Sequence, residues 1–378
     1  MILITHTTNL YNRWGILLAV VLFGWGCTKN DINNTGIFIS DPDLTGNNIR
    51  NMSVDQNGGS YRLTASASIL AEADIPLSFE VDTALVDAYN QKWGTAYKPL
   101  PPRFYSLSST TSVIRKGSSI SDSVNILVKP LDNSVSDGDL FMIPVTVNPR
   151  AGNISAIAAS RVAYVIINRV LINPALDVSR ISNLAFDIPD PIKNLTAFTA
   201  EFRVKVTNSF YNNMTLFSAY PSEIYSRFGD VVIKPNQLQI KYAGIQPASL
   251  TEFTSNRWYH IAYVLDGAAG TFKIYVDGRL DATTPTPGNV SFNLESMFFG
   301  GSGRHPMHVQ ELRFWTKART QAEIAGSFCA VNPAAPGLYG YWKFNDGQGN
   351  TVADATTKGH TGRFTGTNAW VQGIRCPE

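Results

Sequence analysis

Apolar and polar side chains alternate with a period of two through residues 258–266 and again through 271–280. That period belongs to strands with one buried face, and Phe272, Ile274 and Val276 share that face in the second run. Asp277-Gly278 is a tight-turn dipeptide, because glycine reaches positive φ without a Cβ clash. Residues 198–206 alternate most cleanly. Phe198, Ala200, Phe202, Val204 and Val206 are expected to face inward, and Thr199, Glu201, Arg203 and Lys205 outward. Residues 297–301, 309–315 and 339–344 read as further strands. Thr320 and Glu323 form a capping box ahead of Ile324 and start a short helix. In the front half, strands are expected at 76–81, 124–128, 141–147 and 161–167. Between the first two, Leu85, Tyr89 and Trp93 recur at four-residue steps on a helix that Asp82 or Thr83 caps and Gly94 ends. Pro99, Pro101 and Pro102 forbid its continuation. The segment 211–245, interrupted by Pro221, Gly229, Pro235 and Gly244, shows little pattern and reads as irregular.

The pattern is all-β, in two blocks. Residues 37–168 form an N-terminal β-sandwich with one short helix, 169–174 a connection, and 175–378 a second β domain. Composition agrees: of 378 residues 44% are hydrophobic and 16% charged, with 29 glycines and 20 prolines. This is a folded, turn-rich chain. A net charge of +2 with scattered lysines and arginines gives no basic face for nucleic acid.

Before the first block, Ile16 to Phe23 is an unbroken apolar run flanked by Arg13 and followed by Gly26-Cys27. It is too short to span a bilayer and has the length of a signal-peptide core. A small residue followed by cysteine resembles a bacterial lipoprotein signal. That resemblance makes residues 1–27 the signal, Cys27 the lipidated residue and 28–36 a flexible tether. Cleavage nearby as an ordinary secretory signal is the other reading. Export brings oxidising conditions, so Cys329 and Cys376 are expected to pair across 46 intervening residues; two free buried thiols are the alternative. Their spacing matches no zinc motif.

Residues 81–97, Tyr105 to Leu107, 143–147 and 160–166 together resemble the N-terminal domain of unknown function on Bacteroidetes-type surface lipoproteins of glycan-utilisation systems. The hairpin at 258–280, Gly300-Gly301, residues 311–315, the capped helix, 341–344 and Asp354 to Gly362 follow the order of laminin-G-like (concanavalin-A-like) domains. That family's fold is a two-sheet antiparallel jelly roll. The resemblance implies a cell-surface outer-membrane lipoprotein that binds carbohydrate without transforming it. Such a protein would capture glycan for uptake beside an outer-membrane transporter. The competing readings are an adhesive or structural module that binds protein, and a glycoside hydrolase.

Hydrolysis of glycosides needs two carboxylates facing each other roughly 5–10 Å apart. On one strand that demand appears as alternating acids, and the second block has no such run. Glu72 and Asp74 come nearest, in the first block, and read as a solvated edge; Asp41/Asp43 and Asp137/Asp139 sit in turns. Neither a Gly-x-Ser-x-Gly elbow nor a His-Glu-x-x-His pair occurs. His260 is expected to pack in a strand, His360 to bond within a closing loop, and His305 and His308 to lie in a loop between strands. Laminin-G-like domains often hold calcium on loop oxygens. Asp177, Asp346, Asn350 and Asp354 are the candidates here, with ordinary turn bonding as the alternative. For a sugar platform the expectation falls on Tyr220, Tyr225, Arg227 and Tyr242 of the irregular segment, and on Arg304 and His305. Aromatic rings in loops mark surfaces that become covered, unless the loop folds back on them.

Overall fold

The computed structural model describes residues 35–40, 48–132, 134–151, 154–288, 290–301 and 304–377. The expected signal segment, Cys27 and most of the tether lie outside them. Among the described residues the regular elements are strands, two α-helices and two short 3-10 turns.

The front half is built on a six-stranded sheet. Its order is Ile49–Val54, Val162–Arg169, Phe141–Pro149, Ile75–Val81 and Thr111–Ile114, with Lys98–Pro99 paired to Phe141–Pro149. Two three-stranded sheets close over it. The shared core draws Phe79 and Val145 from the large sheet, Ile37 and Ala65 from one small sheet, and Leu63 and Ile126 from the other. Helix Leu85–Trp93 forms, and Gly94 ends it in the left-handed region (φ 64°). Its buried residues are Val86 and Tyr89, which meet Met142 and Ile166 on the outside of the large sheet. The expected Leu85–Tyr89–Trp93 stripe is therefore rotated, and Trp93 is exposed beneath the Lys92 ammonium. The N-cap is Ala84, without a side-chain cap; Asp82 accepts the Ala84 N–H just before the helix.

Residues 171–174, expected to belong to a connection, instead open a strand, Leu171–Asp177, antiparallel to Trp370–Cys376. Only Val170 separates it from Val162–Arg169, and the Val170 N–H bonds the Val54 carbonyl (2.9 Å). The two halves meet closely elsewhere. Asp137 pairs with Arg169 (3.1 Å) and with Lys343 (3.6 Å) of the back half. A Cβ on Gly138 would lie 1.8 Å from the Val331 carbonyl carbon, so only glycine fits there.

The back half is a jelly roll of two eight-stranded sheets. The first runs Arg279–Pro285, Thr271–Val276, Tyr259–Asp266, Ala197–Val206, Met307–Trp315, Leu171–Asp177, Trp370–Cys376, with Leu338–Trp342 on Met307–Trp315. The second runs Ile233–Tyr242, Ile224–Asp230, Met214–Pro221, Phe292–Phe299, Ile181–Phe186, Gly362–Gly366, Thr351–Val352, with Ile192–Leu195 on Phe292–Phe299. Phe198, Phe202, Ile274, Phe217, Phe228 and Phe299 fill the space between them. The turn at Asp277 (φ 48°) and Gly278 (φ 73°) joins two paired strands, as both positive φ values of a type I′ turn require.

The segment 211–245 is not irregular: it holds three paired strands of the second sheet. Its apparent breakers occupy permitted places. Pro221 ends a strand, Gly229 (φ 69°) sits at a register shift, and Pro235 lies on the edge strand, where a missing N–H is tolerated.

A further correction concerns the outward residues of Ala197–Val206. Thr199, Glu201 and Arg203 are buried, because residues 317–328 lie over that face. Glu201 Oε1 accepts from Arg319 Nη1 (2.5 Å), Trp315 Nε1 (2.8 Å) and Arg313 Nη1 (3.4 Å). Arg313 reaches Glu311 (2.5 Å) and the Ser327 carbonyl (2.8 Å), and Tyr341 also donates to Glu311 (2.5 Å). Arg319 reaches the Ser327 hydroxyl and the Glu323 carbonyl, both at 2.8 Å. Helix Gln321–Ala325 is thereby held over the sheet, and its Thr320/Glu323 capping box is complete. The Cys329–Cys376 disulfide ties the same cover to the last strand.

Burial by itself would raise the Glu201 pKa, but Arg319, His260 and Arg313 outweigh it and hold the carboxylate well below its ordinary 4.5. Its stabilisation is present above that ordinary value and is lost only as pH falls through the depressed one. Glu201→Ala leaves buried guanidinium charge behind. The expected loss at neutral pH is about 3–5 kcal/mol, read from urea denaturation followed by circular dichroism.

Candidate functional site

The cover leaves the outside of the second sheet as the broad face to consider. Residues directly opposite on paired strands share a face, so the register identifies what that face presents. One row crosses six strands: Lys241 pairs with Tyr225, Tyr225 with Ser218, Ser218 with Phe298, Phe298 with Ala185 and Ala185 with Arg363. At about 4.8 Å per strand the row is roughly 24 Å long. Tyr220 stands opposite Ser296 in the next row, and its ring meets Phe298 edge-on at 6.3 Å. Tyr225, Lys241 and Phe298 are half-buried and Tyr220 is exposed, while Phe217, Ala219, Met297 and Phe299 point into the core. The surface is flat, aromatic at its centre and polar at both ends.

Hydrogen bonds fix the Tyr225 ring. Tyr225 Oη bonds Thr215 Oγ1 (2.8 Å). Thr215 N–H donates to His305 Nε2 (3.2 Å), and His305 Nδ1 lies 2.6 Å from Tyr211 Oη. The accepting Nε2 assigns the proton to Nδ1, which donates to Tyr211. Burial lowers the His305 pKa, so the ring is neutral at neutral pH. Arg227 donates to Asn213 (2.6 Å), Gln239 (2.9 Å) and Asp230, and its guanidinium lies 5.7 Å from the Tyr225 ring centre. Arg227 and His305 thus hold Tyr225 from the side.

Of the expected platform residues, Tyr220, Tyr225, Arg227 and His305 come together. Arg304 is exposed beside His305. Tyr242 does not belong: it is buried against Phe198, Phe272 and Phe292, and burial pushes its hydroxyl up to about 12. The strand alternation explains the difference, since Lys241 faces out and its neighbour Tyr242 must face in. Phe298 escaped sequence reading. Its signal was an aromatic ring at the outward position between inward Met297 and Phe299.

The calcium candidates do not assemble a shell. Asp177 caps a 3-10 turn, accepting from Ser179 N–H (3.0 Å) and hydroxyl (2.6 Å). Asp346 accepts the Ala353 N–H (3.0 Å), and Asn350 is exposed. Asp354 takes backbone N–H groups from Tyr341, Thr356 and His360, the Thr356 hydroxyl and the His360 ring. An oxygen pair filled by N–H and O–H donors offers little to a cation. Among the described residues no three His, Cys, Asp or Glu side chains converge on one point.

His360 joins the loops that close the domain. Its Nδ1 lies 3.0 Å from Asp354 and its Nε2 2.5 Å from Asp190, which also accepts from Tyr339. Burial works against its charge, but the two carboxylates outweigh it and raise the pKa above the ordinary 6.5. A raised folded-state pKa stabilises fully below the unfolded value and fades as pH climbs through the folded one. Melting temperature is therefore expected to fall as pH rises above neutrality, and His360→Asn to flatten that slope in calorimetry.

Residues 182–325 match the concanavalin A-like lectin/glucanase superfamily profile (Laminin G 3), and residues 32–154 match a profile described as an N-terminal domain. No curated protein matches the chain. A solved Bacteroides ovatus protein, provisionally assigned as carbohydrate binding, is 23% identical with a TM-score of 0.52, covering 89% of this chain and 99% of its own. A second Bacteroides ovatus protein, of unknown function, is 15% identical (TM-score 0.34, 78% and 97% covered). The SAP-like pentraxin of Limulus polyphemus is 15% identical (TM-score 0.35, 54% and 94% covered). Behind its N-terminal β-sandwich, the chain carries a laminin-G-like domain of the concanavalin A-like lectin/glucanase superfamily.

Proposed function

We propose that this is an exported, lipid-anchored envelope protein that binds carbohydrate on the outer face of its second jelly-roll sheet and passes glycan towards uptake by an outer-membrane transporter. The observation that carries the reading is the row Lys241–Tyr225–Ser218–Phe298, with Tyr220 beside it. Sugar rings present C–H faces that pack on aromatic rings, and their hydroxyls need donors and acceptors at the rim. The row offers both, with Tyr225 held by Thr215 and flanked by Arg227. The Bacteroides relative's provisional carbohydrate assignment supports the same reading. Residues 37–168 act as the spacer between anchor and sugar face.

Binding without turnover is the chemistry that fits. The acids Glu201 and Glu311 are buried and committed to arginines beneath the cover, where no polysaccharide strand reaches them. A protein-binding role has one specific observation in its favour. Val231 and Val232, at the tip of the hairpin between the two outermost strands of the sheet, are 92% and 75% exposed.

Affinity gels and calorimetry against a polysaccharide panel separate these readings. The expected result is retention by at least one polysaccharide with no product released. Phe298→Ala and Tyr225→Ala are each expected to weaken that retention about ten-fold, or ~1.4 kcal/mol. Silence across the panel, with protein captured through Val231 and Val232, overturns the carbohydrate reading; product release overturns the non-catalytic one. For the anchor, Cys27→Ser is expected to move the protein from the membrane fraction to the soluble one after cell fractionation.

A further inference from the structure

The described residues begin at Thr35, beside a loop that joins Ala65–Ala67 to Ile75–Val81. Surface loops favour small and polar residues. This one carries Ile69 and Leu70, which are 49% and 65% exposed. Its backbone is nevertheless tied down. Ser68 N–H bonds the Gly36 carbonyl (3.1 Å), Ala71 N–H the Ser118 carbonyl (2.9 Å) and Gly117 N–H the Ala71 carbonyl (2.7 Å). Asp74 accepts the Lys116 N–H (2.8 Å). Ser66 bridges Ile120, which is 56% exposed, so a third aliphatic side chain stands on the adjoining loop. A shallow depression of about 370 Å³ has Thr35, Ile69, Leu70, Ala71, Ile75 and Ile154 among its walls.

Grouped apolar side chains on a fixed surface mark a face that something covers. Among the described residues of the front half, the other exposed large apolar side chains are Trp93 and Leu127, on the helix and on Val124–Val128. Apolar surface is thus concentrated beside Thr35. Eight residue steps separate Thr35 from Cys27. Fully extended, they span at most about 28 Å. A chain anchored at Cys27 therefore keeps Thr35, and the face around it, close to the bilayer. The charges of the two loops are mixed, with Glu72, Asp74 and Asp122 against Arg115 and Lys116, and Arg115 is paired with Asp122 (3.1 Å). Such a face is not drawn to an anionic surface by charge, and what it offers is apolar contact.

We propose that this face seats on the lipid membrane that holds the anchor, with Ile69, Leu70 and Ile120 entering the boundary between headgroups and acyl chains. Such seating rests on the lipid anchor proposed above and adds an orientation to it. Three aliphatic side chains do not hold a free protein on a bilayer. A short tether changes this, because the second contact is then intramolecular, at an effective concentration of millimolar order. A lipid surface suits the face better than a protein partner does, since the covalent link itself brings the face to the bilayer.

Fluorescence of the lipidated full chain in vesicles of phosphatidylethanolamine and phosphatidylglycerol tests the seating. With Cys27 lipidated and Cys329 bonded to Cys376, Leu70→Cys supplies the free thiol for an environment-sensitive dye. Flotation with the vesicles reads the anchor, and dye emission reads the seat. The dye on Leu70→Cys, and separately on Ile120→Cys, is expected to shift to the blue and to lose most of its emission to lipid-borne nitroxide. On Leu280→Cys, in the outermost strand of the first jelly-roll sheet, neither change is expected. Quenching should persist in about 1 M sodium chloride, where surface charge is screened. Flotation without quenching at Leu70 and Ile120 overturns the proposal and leaves the anchor standing. Equal quenching at Leu280, or loss of quenching in salt, overturns it as well. A blue shift without quenching that grows with protein density gives the face to a second copy, and one that needs added envelope proteins gives it to a protein partner; each overturns the membrane contact. Protein that fails to float removes the anchor, and the seating with it.

Discussion

The jelly roll depends on one buried contact set, the carboxylate of Glu201 between the guanidiniums of Arg313 and Arg319. Charge is expensive to bury, and it is tolerated here because the Nη groups of both guanidiniums find oxygens on the sheet or on the segment laid over it, although their Nε groups have no partner. The result is a third layer. Helix Gln321–Ala325 and the chain around Ser327 sit where solvent would otherwise lie, close enough that a Cβ on Gly278 would fall 2.6 Å from the Ala325 Cα. The same segment reaches the N-terminal sandwich through Val331 and Asn332, so sheet, cover and front half are packed as one body.

That arrangement decides which surface is free for recognition. With the first sheet roofed over, the second keeps the broad outer face, and its register lines up ring, hydroxyl and ammonium across six strands. The residues behind the rings matter as much as the rings. Tyr225 is held through Thr215 and flanked by Arg227, and Thr215 is held in turn by His305. A ring already fixed in place loses little entropy when a ligand covers it.

Much of the fold was legible because alternation and turn chemistry are local. The 198–206 strand, the 258–280 pairing, the Asp277-Gly278 turn and the Thr320/Glu323 capping box follow from short-range rules, whereas the pairing of Cys329 with Cys376 was expected from export and its oxidising conditions. What escaped was tertiary. Period two separates two faces of a strand but does not say what lies beyond either, so Glu201 and Arg203 read as solvated. Proline and glycine at 221, 229 and 235 read as interruptions because sequence does not reveal which strand is an edge or where a bulge falls. Tyr242 was misplaced for a related reason: without strand boundaries in 211–245, inward and outward parity there was undefined. Asp354, a calcium candidate by resemblance with ordinary turn bonding as the alternative, accepts from backbone N–H groups, the Thr356 hydroxyl and the His360 ring, partners that only the folded loops bring together.

The one-residue junction at Val170 has a mechanical meaning. Strand Val162–Arg169 is woven into the front sheet and Leu171–Asp177 into the jelly roll, and even the intervening amide is bonded to Val54. A pull on the outer face of the second sheet passes along continuous pleated backbone as tension, with no slack loop to stretch and no hinge to swivel. The two sandwiches would then behave as a stiff boom, and any swing of the binding surface would have to arise outside them.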